Sequence, residues 1–336
     1  MIRPSTRIAS VLTLVVLSLP VFQAAAQQDV PPAQEPSAPA PQEPSAPAPA
    51  AAPVFPKPDP ANFTAASPTK EVVNAFMQAS WGFDDTRVWQ VQAIVKTQVE
   101  GVVKVTVLAA DKAGKQKPGQ LEFFVLPDGK HILVVGDDNI IPFGENPYAE
   151  ARALVQKRAD GPYRGSALKD LEIAEFADFQ CPHCKEAQAN MDKLAVDFPK
   201  ARFVFENLPL PQHPAAAGAA AYGVCVAKQG GSDAFFTFAS AVFDGQDGLA
   251  TTDGAALTLN SAVTKAGLDP AKIAACAATP AALDAVEASK KLALDLGINQ
   301  TPLLVVNGRM VPANAPYDTI KQIILYQAKL DGVAAQ

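Results

Sequence analysis

The chain has 336 residues, 28 basic and 34 acidic side chains, a net charge of −6 and 49% hydrophobic residues. No basic cluster is interleaved with aromatics, so nucleic acid is excluded as the expected partner. The cysteines number four, Cys181, Cys184, Cys225 and Cys276, which is too few for a small disulfide scaffold and enough for one reactive pair.

The N-terminus reads as a leader. Arg3 and Arg7 precede an apolar stretch from Ile8 to Phe22, and Ala24, Ala25 and Ala26 supply a small-residue cleavage site before Gln27. Residues 1–26 are therefore expected to be a secretory signal peptide, with an uncleaved anchor as the other reading. Residues 27–61 are rich in proline and alanine and contain QEPSAPAP twice, at Gln34 to Pro41 and Gln42 to Pro49. Such proline density favours an extended spacer. About 275 residues remain, room for two domains of ordinary size.

Residues 62–150 predict a small α+β domain. SPTKEVVNAFMQASWGF has Ser67 as N-cap, Pro68 at the first helical position, and Val72, Val73, Phe76 and Ala79 on one face. RVWQVQAIVKTQ, VVKVTVLAAD, QLEFFVLP and HILVVGD then read as four strands, with Asp128-Gly129 as a tight turn. Its one histidine, His131, has no cysteine nearby, so packing, dimerisation or substrate holding fits this domain better than catalysis. Residues 151–170 read as a helical connector.

From residue 171 the pattern changes. LEIAEFADF is a strand, KEAQANMDKLAVDF a helix and ARFVFENLPL a strand. An alanine-rich helical block follows, about 212–296. TPLLVVNG is a strand ending in an Asn307-Gly308 turn. RMVP returns, and a last helix presents Ile320, Ile323 and Ile324.

Between the first strand and helix lies Cys181-Pro182-His183-Cys184. A structural zinc needs four ligands, and no second CxxC or HxxxH exists, although Cys225, Cys276 or His213 could complete a set. An inert disulfide would close almost no loop. A redox pair fits the position better. A cysteine at a helix start faces unpaired N–H groups and the positive end of the dipole, which stabilise its thiolate. Cys181 is then the exposed nucleophile, and Cys184, one turn inward, resolves its mixed disulfide. Pro182 suits the first helical turn, and His183 can donate to the thiolate or add charge beside it. Cys225 and Cys276, on helical segments of an exported chain, are expected to form a structural disulfide. His213 lies in a turn and receives no role.

EFADFQCPHCKEA together with GINQTPLLVVNGR about 120 residues later resembles the thioredoxin superfamily, and more narrowly the DsbA-like thiol–disulfide oxidoreductases. VFENLPLPQHP and the helices after it fit the same family. The resemblance covers roughly residues 171–327. It implies an α/β thioredoxin fold with an inserted helical subdomain, here preceded by the small α+β domain. It also implies a buried Glu175 that accepts a proton from Cys184, against the alternative of a strand-end carboxylate in solvent. Finally, it implies a cis Pro302 beside the cysteines, with Thr301 offering its backbone to substrate.

The expected function is an exported enzyme, periplasmic or secreted, that oxidises thiols of unfolded or partly folded proteins through Cys181 and Cys184. It needs no cofactor or metal. A membrane redox partner would reoxidise it, and the first domain is expected to mediate self-association as a homodimer or to hold substrate. The rival enzyme is a disulfide isomerase or reductase of the DsbC or DsbG kind. The non-enzyme rival is a chaperone or scaffold with structural cysteines.

Overall fold

Thr69, rather than Ser67, begins the first helix. Its Oγ1 accepts the Val72 N–H at 3.4 Å, and α1 runs Lys70–Trp81. Pro68 stays outside the helix, joined to Ser67 by a cis bond. This computed structural model describes residues 55–114, 117–136 and 140–336. The expected signal peptide, residues 1–26, and the QEPSAPAP repeats lie outside the described residues.

The first sheet is an antiparallel meander in chain order: β1 (Arg87–Lys96), β2 (Val103–Asp111), β3 (Gly119–Val125), β4 (His131–Val134) and β5 (Ile140–Pro142). Strand alternation puts Val105 and Val107 of β2, and Phe123 and Val125 of β3, on the face covered by Val73, Phe76 and Met77 of α1. The sequence did not separate β5 from β4. It is three residues long, and Ile140 and Ile141 are exposed at the sheet edge.

Next come α2 (Ala149–Arg158) and β6 (Tyr163–Gly165). The connector thus contributes an edge strand to the second sheet, made of β7 (Glu172–Ala177), β8 (Arg202–Asn207), β9 (Leu303–Val306) and β10 (Arg309–Pro312) beside β6. The order is β10-β9-β7-β8-β6. β7 and β8 are parallel, and the other pairs are antiparallel.

Helices cover both faces, so every residue of β7 and β8 is buried. Ile173 and Phe203 pack against α3 (Pro182–Asp197) and α8 (Tyr317–Leu330). Ala174, Phe176 and Val204 pack against α2 and α7 (Pro280–Asp295).

The helical block consists of α4 (Ala216–Asp244), α5 (Thr252–Lys265), α6 (Pro270–Ala277) and α7. α4 kinks at Gly231, where φ is +79°. Phe179, Phe205, Phe235, Phe238 and Phe243 form its aromatic core. Each such buried side chain contributes roughly 1.5–3 kcal/mol. Cys225 of α4 is bonded to Cys276 of α6, with an S–S distance of 2.02 Å. A cross-link over 51 residues contributes about 4 kcal/mol in the chain-entropy account.

The candidate dithiol site

β7 ends at Ala177, and three residues later the chain turns into α3. Cys181 is the N-cap of α3 and Pro182 its first residue, where the missing N–H costs nothing. Cys184 lies within the first turn, and its N–H donates to the Cys181 carbonyl at 3.1 Å. Both cysteines are free thiols.

Their environments differ. The Cys181 thiol is lowered to about 5, chiefly by a hydrogen bond from the Cys184 thiol, against opposing burial. Contact with Thr301 and the backbone N–H groups of Cys184 and His183 add to the effect. Burial pushes Cys184 far up, and the neighbouring Cys181 adds to it. One thiol is therefore an anion at neutral pH while the other keeps its proton.

Cys181 is not the exposed group expected from its helix-start position. Only 4% of the residue is accessible. Its sulfur lies 3.7 Å under the Thr301 carbonyl, and Gln246 Nε2 holds the Cys181 carbonyl at 2.9 Å. The Thr301–Pro302 bond is cis. Thr301 Oγ1 is buried and has no hydrogen-bond partner among the described residues.

His183 is on the surface. Its Nδ1 pairs with Glu186 Oε2 at 3.1 Å, and this carboxylate raises the imidazole's affinity for its proton. The backbone N–H of His183 supports the Cys181 thiolate, and the thiolate's charge in turn adds a smaller upward push to the imidazole.

Glu175 is buried on the α3 side of β7, with 3% exposure. Burial pushes its carboxyl up to about 7, while a hydrogen bond from Gln188 Nε2 at 2.8 Å acts the other way. The same Nε2 donates to the Cys184 carbonyl at 3.2 Å, so Gln188 bridges Glu175 to the resolving cysteine's backbone. A carboxyl raised on folding contributes stability that is full below its unfolded value near 4.5 and is lost as pH rises through 7. Glu175→Gln is therefore expected to stabilise the protein at pH 8 by roughly 2–3 kcal/mol and to leave pH 4 unchanged. Urea unfolding at the two pH values checks this. Equal stabilisation at both would show that the charge is not the cause.

Sequence reading missed Asp178, Gln188, His213 and Gln246. Asp178 is buried between the strand and the cysteines, and its carboxylate accepts from His213 Nδ1 at 2.8 Å. No sequence signal joins residues 35 positions apart. The neighbouring D and Q of DFQC offered the one local hint. Cys225 and Cys276 are bonded to each other, so neither is available to a metal beside Cys181.

A sequence model of the family described as Thioredoxin matches residues 157–325. Among solved structures, DsbA2 of Pseudomonas aeruginosa is similar at 29% identity, covering 50% of this chain and 93% of its own, with a TM-score of 0.43. Oxidised BdbD of Bacillus subtilis is 24% identical over 50% of this chain and 93% of its own, with a TM-score of 0.43. A periplasmic thioredoxin-like protein of Salmonella enterica serovar Typhimurium is 18% identical over 54% and 97%, with a TM-score of 0.43.

Two curated relatives are Na(+)/H(+) antiporters. NhaA 3 of Salinispora tropica is 35% identical over 91 residues, 27% of this chain and 14% of that protein. NhaA of Herminiimonas arsenicoxydans is 28% identical over 162 residues, 48% of this chain and 24% of that protein. The chain thus spans a quarter or less of these relatives. None of its described helices is long and apolar enough to cross a membrane. The family match takes in half of the chain, from α2 into α8 and including Cys181, Cys184 and Pro302, and this chain belongs to the thioredoxin family.

Proposed function

We propose that this chain is an exported thiol–disulfide oxidoreductase that oxidises thiols of unfolded or partly folded proteins. One observation carries the reading: a Cys181 thiol lowered to about 5 stands one helical turn from a buried Cys184 whose thiol is pushed up. Stabilising the thiolate stabilises the reduced protein, which makes the disulfide a stronger oxidant.

In the oxidised protein a substrate thiolate attacks Cys181 Sγ. The Cys181–Cys184 bond breaks, and Cys184 leaves as a thiolate and takes up a proton. A second substrate thiolate attacks the substrate sulfur of the mixed disulfide and expels Cys181 as a thiolate. The substrate loses two electrons and the dithiol gains them. One substrate proton ends on Cys184 and the other in solvent. The helix N-terminus, whose first position Pro182 occupies, favours the expelled anion, with Cys184 and His183 supplying backbone N–H groups. Glu175 is the proposed proton acceptor for Cys184 in the reverse, closing step. Thr301 and Pro302 are proposed to receive the substrate backbone.

A membrane redox partner would return the dithiol to the disulfide. Export to the periplasm or medium rests on the leader-like residues 1–26. Residues 62–150 are proposed as a separate domain that holds substrate or a second copy, and residues 171–330 as the catalytic one. The exposed Ile140 and Ile141 at the first sheet's edge fit that role. The second reading, an isomerase or reductase, draws on that additional sheet and on threonine before the cis proline.

Two substrates separate the readings. An oxidase converts a reduced dithiol peptide stoichiometrically to its disulfide and does not repair a scrambled protein. Efficient repair by the reduced protein, with little peptide oxidation by the oxidised one, would give the assignment to the isomerase. Inactivity in both assays would give it to a scaffold.

A further inference from the structure

Asp178 presents its backbone to both cysteines. Its N–H donates to Cys184 Sγ at 3.4 Å, and its carbonyl accepts the Cys181 N–H at 3.1 Å. Where residue 178 sits therefore decides whether its N–H meets the Cys184 sulfur. Its position is set by its own side chain, a carboxylate with no exposed surface.

A buried carboxylate is costly unless its oxygens are satisfied. Here Oδ1 accepts the Gln180 N–H at 2.7 Å. Oδ2 accepts the Leu210 N–H at 2.8 Å and His213 Nδ1–H at 2.8 Å. No lysine or arginine pairs with it among the described residues. His213 is the one side chain among these three donors, and it retains 20% exposure. It comes from the loop between β8 and α4, on the far side of Asp178 in the chain. The carboxylate thus ties that loop to the segment that carries the cysteines. Gln180 repeats the tie, since its Oε1 accepts the Ala215 N–H at 2.8 Å.

We propose that Asp178 and His213 are positioning residues for Cys184, holding the Asp178 N–H on the resolving sulfur during thiol–disulfide exchange. The proposal rests on the oxidoreductase reading above. In the closing step the Cys184 thiol gives its proton to a base or solvent. Its thiolate attacks Cys181 Sγ of a mixed disulfide, the Cys181–Cys184 bond forms, the bond to the bound thiol breaks, and that thiol leaves as an anion. The Asp178 N–H meets the sulfur while it is an anion inside the protein. By microscopic reversibility it meets the same anion when a substrate thiolate opens the disulfide. Charge-assisted hydrogen bonds are about twice as strong as neutral ones, so a donor at this sulfur counts most in these steps.

The test uses the full chain and an aromatic disulfide whose released thiol is coloured. Attack by Cys181 on the reagent is timed alone in a Cys184→Ser background. Closure is timed as release of the second coloured thiol, at reagent concentrations that make the first step fast. His213→Ala and Asp178→Asn are expected to slow closure about tenfold, the effect of a weakened charge-assisted hydrogen bond. Attack by Cys181 is expected to stay within about twofold. His213→Asn, which keeps an N–H donor, is expected to recover closure to within about threefold of the wild type.

Unchanged closure in folded His213→Ala would overturn the proposal. So would an equal fall in attack and closure, or failure of His213→Asn to recover the rate. If none of the three variants folds, the pair serves stability alone and the proposal also falls. Failure of the underlying reading looks different: the wild-type protein itself would then take up no reagent at Cys181 or release no second thiol.

Discussion

Cys181→Ser is expected to abolish oxidation of a dithiol peptide, by about a thousandfold or more, while Cys184→Ser keeps the attacking step and stalls after it. The asymmetry follows from the two environments. Cys181 caps α3, is lowered to about 5 and is an anion at neutral pH. Cys184 is inaccessible to solvent, and burial holds its proton on. A substrate thiol bonded to Cys181 therefore stays attached when Cys184 is missing. Intact-mass measurement of Cys184→Ser incubated with a mixed-disulfide donor should show one adduct, mapped to Cys181. Residual oxidation above about a tenth of the wild-type rate in Cys181→Ser would contradict the assignment, as would an adduct at Cys184 in that variant.

The second large effect is expected far from the cysteines. Arg309 opens β10, just after the Asn307-Gly308 turn, and is buried at 5% exposure. Gly308 has a φ of +92°, and a Cβ there would meet the Tyr148 carbonyl oxygen at 2.2 Å, so the turn requires glycine. The Arg309 guanidinium donates to the carbonyls of Ala79 and Ser80 at the end of α1, and its Nε donates to Gln327 Oε1 at 3.0 Å. It also stacks on Tyr148, 4.4 Å from the ring centroid. A side chain from the second sheet thus satisfies the last-turn carbonyls of the helix that covers the first.

Arg309→Ala strands those acceptors, and each buried orphan costs about 1–3 kcal/mol. Loss of roughly 3–5 kcal/mol in urea unfolding is expected. Arg309→Lys should recover little, because a single ammonium cannot reproduce a planar fork reaching three acceptors. A loss under about 1 kcal/mol for Arg309→Ala would show that water replaces the guanidinium there.

The strands and helices of the second sheet were legible because their signals are local. LEIAEFADF is a continuous apolar run, as a strand covered on both faces must be. Asn307-Gly308 names its own turn, and Pro182 its own helix start. The dithiol was legible because two cysteines and a helix N-terminus sit within four residues. What the sequence concealed depends on contacts across the fold. β6 is three residues long and exists through its pairing with β8. Asp178 meets His213, and Arg309 meets Ala79 and Ser80, over separations that no periodicity marks. The carbonyl that meets the Cys181 sulfur belongs to Thr301, 120 residues later in the chain. The first helix began at Thr69 because two hydroxyl residues near one start compete, and only geometry chooses between them.

The central claim is that folding makes Cys181 a stable thiolate. Linkage gives its sign in the reduced protein. A folded value near 5 lies below the unfolded thiol near 8.5, so this stabilisation is complete above the unfolded value and is lost as pH falls through 5. The reduced form should therefore gain stability over the oxidised form between about pH 5 and 8.5, by up to about 1.4 kcal/mol per pH unit. The most direct measurement is the rate of alkylation of Cys181 by iodoacetamide against pH, with the modified residue identified by mass. The predicted profile is flat from about pH 6 to 8, has a midpoint near 5 and falls tenfold per unit below it. A midpoint near the ordinary thiol value of about 8.5, with reactivity still rising through pH 8, would contradict it.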